Sequence, residues 1–525
     1  MTEMAEATWQ PPEQYNAAVY FVDGNVAAGR GAKVAFIDRS GAHTYGDLAV
    51  KVNRFGNALA ALGVRREERV ACCLIDTIDF PTAFFAGMKI GAVPVMINTL
   101  LTEANYRFIL NDCRAQVLVV SAELLPTFAP ILADLKSIKH VIVSGDGAGA
   151  HKSMAEIMAA ASDKLDAAPT GRDDVGFWLY SSGSTGQAKG VKHLHASPMY
   201  MAKLYGQPVL GVREDDVVFS AAKLFFAYGL GNGISFPMSV GATTVLFAGR
   251  PTPDAMMATL KEHQPTIFYG VPTLYAAILA NPENKRETTS KKLRVAASAG
   301  EPLPADIGRR WQERFGCPVL DGVGSTEMLH IYVSNRADDL SYGTSGKPVP
   351  GYAIRLVDEH GNDLPDGDIG EMLVRGPSMA EGYWNRREKT LTTFVGPWMW
   401  TGDKYVKVEG DYYQYAGRSD DMFKSGGNWV SPFDVESALI SHAAVLEAGV
   451  IPRADESGNL KPMAYVVLAE GVKASDALAD ELKAHVKSRI EVWKYPRWIE
   501  FTESLPKTAT GKIQRFKLRE QQGQG

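Results

Sequence analysis

The chain has 525 residues, 46% apolar and 22% charged, with a formal net charge of −5. That length exceeds a single compact core, so at least two domains are expected, and the mildly acidic balance excludes a surface built to hold nucleic acid. Cys72, Cys73, Cys113 and Cys317 show no CxxC and no paired spacing, which excludes a disulfide framework or thiolate zinc site and fits a reducing cytoplasm.

The opening stretch MTEMAEATWQPPEQYN is acidic and lacks an apolar centre, so no signal peptide is expected. Nowhere do about eighteen apolar residues run together, so no membrane span is expected either. Thr44 stands three residues ahead of Asp47, the spacing of a capping box, and Leu48, Val52, Phe55, Leu59 and Leu62 follow at helical intervals. An amphipathic helix is predicted there. Next come a strand-like run over 70–75, a small-residue helix over 82–90 and a strand over 92–97. Short apolar runs recur at 117–120, 140–143, 175–179, 243–247, 266–269 and 293–297, with helical segments between many of them. Such alternation is the signature of a parallel α/β sheet.

The run at 175–179 leads into YSSGSTGQAKGV, residues 180–191. Small residues let backbone N–H groups approach an anion closely, and hydroxyls and a lysine add donors and charge. A phosphate cradle is the natural reading. It is not a Walker loop, because GxxxxGK[ST] cannot be read in it and Gly190 follows Lys189. Beyond about residue 340, glycine, proline and tyrosine cluster. Strands over 353–357, 371–374, 405–409 and 412–415, joined by Gly-Asn and Glu-Gly turns, predict a β-rich subdomain. The last hundred residues return to mixed α/β, with a charged helix near 475–489. The polar GRSDD at 417–421 is the expected boundary between a domain over 1–419 and a smaller one over 420–525.

Further glycine-rich polar clusters stand out: SAGEPL at 298–303, DGVGSTEM at 321–328, TGD at 401–403 with GRSDDMFKSGGNWVSP at 417–432, and PKTATGK at 506–512. Each alone reads as a turn. Together, in this order, they resemble the acyl-adenylating superfamily of acyl-CoA synthetases, nonribosomal-peptide adenylation domains and luciferases, over nearly the whole chain. KLFFAYGLGNG at 223–233 resembles the benzoate–CoA ligases in particular.

The resemblance implies an α/β fold: a large N-terminal domain of parallel α/β subdomains plus a β-rich subdomain, and a small mobile C-terminal α+β domain. It implies ATP-dependent joining of an aromatic acid, benzoate first, to coenzyme A through an acyl adenylate. Ser181, Ser182, Gly183, Ser184, Thr185, Gly186 and Lys189 would hold the β- and γ-phosphates. Thr326 would touch a phosphate oxygen and Glu327 would hold Mg²⁺, a hard cation that prefers oxygen. Gly300, Glu301, Pro302, Asp321 and Gly322 would line the adenine slot, Asp403 would accept the ribose hydroxyls, and Arg418 would sit by ribose and phosphate. Asp321 stands where many relatives carry an aromatic or another polar residue.

Lys512 would bridge the acid and the α-phosphate, where positive charge stabilises the transition state. A rotation about Asp420 would withdraw it and bring in Lys424, Ser425, Gly426, Gly427, Asn428 and Trp429 as a pantetheine tunnel. Phe226, Ala227, Tyr228, His330 and Ile331 would enclose the acid, planar walls suiting a benzene ring. His330 reads equally well as a core histidine, and Gly426-Gly427 as a hairpin turn. A homodimer and acetylation of Lys512 are further expectations. The competing readings are another aryl or aliphatic acid–CoA ligase, a free-standing module loading a carrier-protein thiol, and a nucleotide-binding scaffold. A dehydrogenase fits poorly, since GLGNG at 229–233 lacks GxGxxG.

Overall fold

The computed structural model describes residues 9–181, 187–419, 421–425, 428–507 and 513–522. Two large sheets carry the N-terminal part. One runs in the order Gly382–Tyr383, Lys189–Leu194, Val175–Ser181, Val93–Met96, Arg69–Cys73, Val117–Ser121, His140–Ser144 and Lys152–Ser153. Its centre is parallel, and every residue of Val93–Met96 and Val117–Ser121 is buried. That explains why these strands read as continuous apolar runs rather than alternating ones. The Val175–Ser181 and Lys189–Leu194 strands pair antiparallel as a hairpin.

The second sheet runs Lys347–Pro348, Ile331–Ser334, Val319–Gly324, Val295–Ser298, Ile267–Gly270, Val217–Ser220, Thr243–Val245, Val34–Asp38 and Gly41–Thr44. It is parallel from Val319–Gly324 through Val34–Asp38, with antiparallel strands at both ends. Ser298, the last residue of its strand, sits beside Asp321, where the Val319–Gly324 strand leaves the parallel pairing; open α/β sheets bind ligands near such carboxyl ends. An antiparallel sheet of Ala353–Val357, Ile369–Arg375, Trp398–Val408, Phe394–Val395 and Tyr412–Arg418 forms the β-rich subdomain. The small C-terminal domain is a hairpin, Phe423–Ser425 with Asn428–Val430, and a three-stranded sheet of Val445–Ala454, Leu460–Leu468 and Trp498–Phe501. Helices Pro432–Ile440, Asp476–Arg489 and Arg515–Gln522 complete it.

The capping box is present as expected. Thr44 Oγ1 accepts from Asp47 N–H, the Asp47 carboxylate accepts from Thr44 N–H, and the helix runs Tyr45–Ala61. The helix placed at 82–90 begins earlier, Asp79–Lys89, because Pro81 is tolerated in a first turn whose N–H groups need no partner. Gly382–Tyr383 joins the first sheet through Val191 and Lys192, a pairing that sequence pattern did not suggest. Beside it the Trp384 and Trp178 rings lie 4.8 Å apart at 38°, with the Arg69 and Arg114 guanidinium groups over Trp384. The four cysteines are free and buried. Among the described residues no helix is long and apolar enough to cross a membrane.

Candidate active site

The hairpin register sets Ser181 opposite Lys189, so the two ends of the glycine–serine loop emerge side by side. Ser182, Gly183, Ser184, Thr185 and Gly186 lie outside the described residues. Ser181 Oγ donates to Glu327 Oε1 at 3.5 Å, and the Tyr383 hydroxyl donates to the same oxygen at 2.8 Å. Lys189 Nζ sits 4.8 Å above the centre of the Tyr383 ring. Burial lowers the Lys189 pKa and the Glu327 charge partly restores it.

Thr326 and Glu327 lie on the turn between Val319–Gly324 and Ile331–Ser334. Thr326 O accepts from Leu329 N–H at 3.0 Å, and Ser325 Oγ from Met328 N–H at 3.2 Å. Leu329 is held at φ +66°, a left-handed conformation rare for a leucine. That reversal keeps Glu327 and His330 on one compact turn. Among the described residues no three His, Cys, Asp or Glu side chains gather to hold a metal. A lone carboxylate suits Mg²⁺, which takes one or two carboxylates and completes its shell with water and phosphate oxygens. Among the described residues, the side-chain donors to Glu327, Ser181 and Tyr383, both reach Oε1.

The expected adenine and ribose residues come from neighbouring elements. Asp321, 3% exposed, accepts from Leu303 N–H on Oδ2 at 3.2 Å, and burial pushes its carboxyl well above the usual range. Gly322 is packed so closely that a Cβ there would stand 2.8 Å from Val333 O. Gly300 turns at φ +97° after Val295–Ser298, and Glu301 and half-buried Pro302 follow. Glu301 Oε1 accepts from Ile513 N–H at 3.2 Å, which brings the chain just past residue 512 to this loop. Asp403 and Arg418 face each other across an antiparallel pair, and Arg418 Nη1 donates to Asp403 Oδ1 at 3.0 Å.

Phe226 caps the short helix Ala227–Leu230 and packs on Phe225 at 4.4 Å. The Tyr228 hydroxyl donates to Ala297 O at 3.0 Å, and its ring lies 5.3 Å from the His330 ring. His330 Nε2 is 3.2 Å from Tyr228 O and 3.1 Å from Asn232 Oδ1, both acceptors, so Nε2 carries the proton. Burial lowers the His330 pKa to about 3, so the ring is neutral. The Nε2 edge of His330 is tied to the core, and its ring packs against Tyr228. Only glycine fits at 231, where a Cβ would come within 2.3 Å of His330 Cδ2. Ile331 is buried beside it.

The remaining candidates belong to the C-terminal domain. Lys424 Nζ and Lys404 Nζ lie 5.0 and 5.7 Å from the Trp429 ring, Asn428 is exposed, and Ser425 is buried. Asp420, Gly426, Gly427 and Lys512 lie outside the described residues.

Two family models match: AMP-binding enzyme over residues 25–384 and AMP-binding enzyme C-terminal domain over residues 434–512. The chain belongs to the AMP-binding enzyme family. It is 57% identical over 510 residues to the benzoate–CoA ligase of Thauera aromatica, covering 97% of this chain and 96% of that protein. Its fold matches the benzoate CoA ligase of Burkholderia xenovorans LB400 with a TM-score of 0.90 and 49% identity, covering 96% and 100% of the two chains. It matches the anthranilate CoA ligase AuaEII in complex with anthranoyl-AMP with a TM-score of 0.94 and 43% identity, covering 97% and 98%.

In this AMP-binding enzyme two groups escaped the sequence reading. Tyr383 joins Glu327 to Lys189, and its signal, Gly382-Tyr383-Trp384, is too short for any periodicity. Asp76, 4% exposed, lies 3.9 Å from Lys223 Nζ and accepts from Leu224 N–H at 3.3 Å. Lys223 also donates to the carbonyls of Phe247 and Gly249. It opens the KLFFAYG stretch, where a lone lysine before an apolar run gives no local sign of a carboxylate partner.

Proposed function

We propose that this chain is an ATP-dependent aryl-acid–CoA ligase whose acid is benzoate. It converts benzoate, ATP and coenzyme A to benzoyl-CoA, AMP and diphosphate through a benzoyl adenylate. Resonance makes a carboxylate inert to thiolate, so its oxygen first becomes a leaving group. A carboxylate oxygen bonds to the α-phosphorus and the bond to diphosphate breaks. The thiol sulfur of coenzyme A then bonds to the acyl carbon, its proton passes to solvent, and AMP leaves with the carbon–oxygen electron pair.

The observation that carries this reading is the near-full-length identity with the Thauera aromatica ligase. The Tyr228–His330 ring pair gives it a physical basis, because planar apolar walls bury a benzene ring well. Lys189 and the loop of residues 181–186 hold the β- and γ-phosphates, assisted by Thr326. Glu327 holds Mg²⁺, which supplies neutralising charge to the phosphates. Gly300, Glu301, Pro302, Asp321 and Gly322 line the adenine, while Asp403 and Arg418 take the ribose.

Lys512 bridges the acid and the α-phosphate. The Ile513–Glu301 hydrogen bond supports that role, since it would hold the lysine's neighbour at the nucleotide loop. The domains divide at 419/420, and rotation about Asp420 brings Lys424, Ser425, Gly426, Gly427, Asn428 and Trp429 to the pantetheine. The buried, unpaired cysteines fit a cytoplasmic enzyme. A homodimer, checked by light scattering, and charge loss on acetylation of Lys512, checked by intact mass against activity, complete the reading.

The test is AMP release with ATP, Mg²⁺ and coenzyme A over benzoate, hydroxybenzoates, cyclohexanecarboxylate, hexanoate and acetate. Turnover concentrated on benzoate and its close analogues is expected. Comparable rates on the aliphatic acids would reject the aromatic pocket, and no turnover with any of them would reject the ligase.

A further inference from the structure

Tyr383 lies 6% exposed between two groups of opposite charge. Its hydroxyl donates to Glu327 Oε1 at 2.8 Å, and its ring face carries the Lys189 ammonium at 4.8 Å. Glu327 and Lys189 attract each other, yet the ammonium rests on the ring rather than on the carboxylate. The tyrosine itself is fixed from several sides. Gly382 and Tyr383 pair with Lys192 and Val191, and Tyr383 N–H donates to Thr390 Oγ1 at 3.1 Å. The Phe394 ring packs at 5.4 Å, and Trp384 N–H donates to Gly190 O at 2.8 Å.

We propose that Tyr383 is a positioning residue that keeps Lys189 and Glu327 apart and aimed before nucleotide binds. Two opposite charges at the edge of an anion site would otherwise neutralise each other and point away from their ligands. The ring offers the ammonium a weaker partner, one that a phosphate readily displaces. The hydroxyl occupies one carboxylate oxygen and would leave the other for the cation, as outer partners commonly orient metal ligands. The hydroxyl therefore serves Mg²⁺ and the ring serves the phosphates.

Those two functions separate in binding measurements that need no turnover. Calorimetry of the full chain would follow ATP in the presence of EDTA, ATP across a Mg²⁺ titration, and AMP, which lacks the β- and γ-phosphates. Tyr383→Phe keeps the ring and is expected to raise the Mg²⁺ needed for half-maximal enhancement of ATP binding by about tenfold. It should leave metal-free ATP and AMP binding unchanged. Tyr383→Leu removes both features and should in addition weaken metal-free ATP binding by roughly three- to tenfold, still sparing AMP. An unchanged Mg²⁺ requirement in Tyr383→Phe would overturn the proposal. So would an equal loss of AMP and ATP binding in either variant, which marks general loosening of the fold.

The proposal rests on reading Glu327 as the Mg²⁺ carboxylate and Lys189 as a phosphate ligand. Glu327→Gln and Lys189→Ala, run alongside, tell the two failures apart. If Glu327→Gln keeps the Mg²⁺ requirement, or Lys189→Ala keeps metal-free ATP affinity, that reading falls and takes the proposal with it. If both respond while the Tyr383 variants behave as wild type, the reading stands and only the role of Tyr383 is lost.

Discussion

Asp76 and Lys223 form a buried pair in which burial outweighs attraction. Desolvation raises the Asp76 pKa to about 6 and lowers that of Lys223, although each partner's charge pulls the other way. The pair matters because Asp76 also receives Leu224 N–H, at the start of the segment that carries Phe226, Ala227 and Tyr228. Unfolded, the same carboxyl titrates near 3.8. The folded chain therefore holds this proton more tightly. The stability from this group is complete below about pH 4 and is lost as pH rises through about 6. From pH 7.5 down to 4.5 it should add up to about 2 kcal/mol, a gain that Asp76→Asn lacks. Melting curves at the two pH values should show the difference between wild type and variant shifting in favour of wild type at low pH. Parallel shifts would mean that the carboxyl titrates as an exposed one.

At the scale of elements, the helix Arg515–Gln522 is locked to the start of its own domain. Arg515 Nη2 and Nε donate to Glu436 Oε2 and Oε1 at 2.7 and 3.0 Å, and Glu436 Oε1 also accepts from Val450 N–H at 2.8 Å. Arg515 Nη1 and Arg519 Nη1 reach Asp421 at 3.4 and 2.8 Å. Glu436 is 4% exposed, so Arg515→Met strands a buried carboxylate and should cost the C-terminal domain about 3–5 kcal/mol. The double variant Arg515→Met, Glu436→Met removes both charges and should recover much of that loss. Differential scanning calorimetry with limited proteolysis would check it; equal losses in single and double variants would show that packing, not charge, sets the cost. None of this pairing was legible in the sequence, because ion pairs across 79 residues leave no local pattern. What was legible is local: the Thr44 cap, the fully buried strands around Arg69–Cys73, and glycine-rich loops that close up on strand ends. The two-residue strand Gly382–Tyr383 has no alternation to read, and its register is set by a hairpin nearly two hundred residues earlier. The candidate site residues were named where motifs are contiguous, and Tyr383 was missed because its partners come from two distant segments.

For the whole molecule, one chain has to present two chemistries to one acyl group, and a small domain built around its own core makes that feasible. Val435, Leu439, Val450, Val466, Leu482 and Val486 are buried in one cluster within the C-terminal domain, so the domain has the apolar interior needed to move as a unit. Contacts across the boundary include the Lys404 ammonium 5.7 Å from the Trp429 ring, the Tyr415 and Phe433 rings at 5.7 Å, and Ile513 N–H on Glu301. Lys512→Ala should therefore reduce benzoyl adenylate formation by at least about a hundredfold while sparing thioester formation from supplied benzoyl adenylate. Single-turnover assays of each half-reaction would check it; equal loss in both would point to damage of the fold instead. The indole pair of Trp178 and Trp384 stands beside the Lys189 strand, with Trp384 following Tyr383 in the chain, its backbone N–H on Gly190 O and its indole N–H on Asp112 O. Two indoles so close and tilted couple their electronic transitions, and the guanidinium groups of Arg69 and Arg114 bias their excited states. Displacement of the strand that holds Lys189 should therefore change this pair's contribution to the near-ultraviolet circular dichroism, one among nine tryptophans, and Trp178→Phe should remove that contribution.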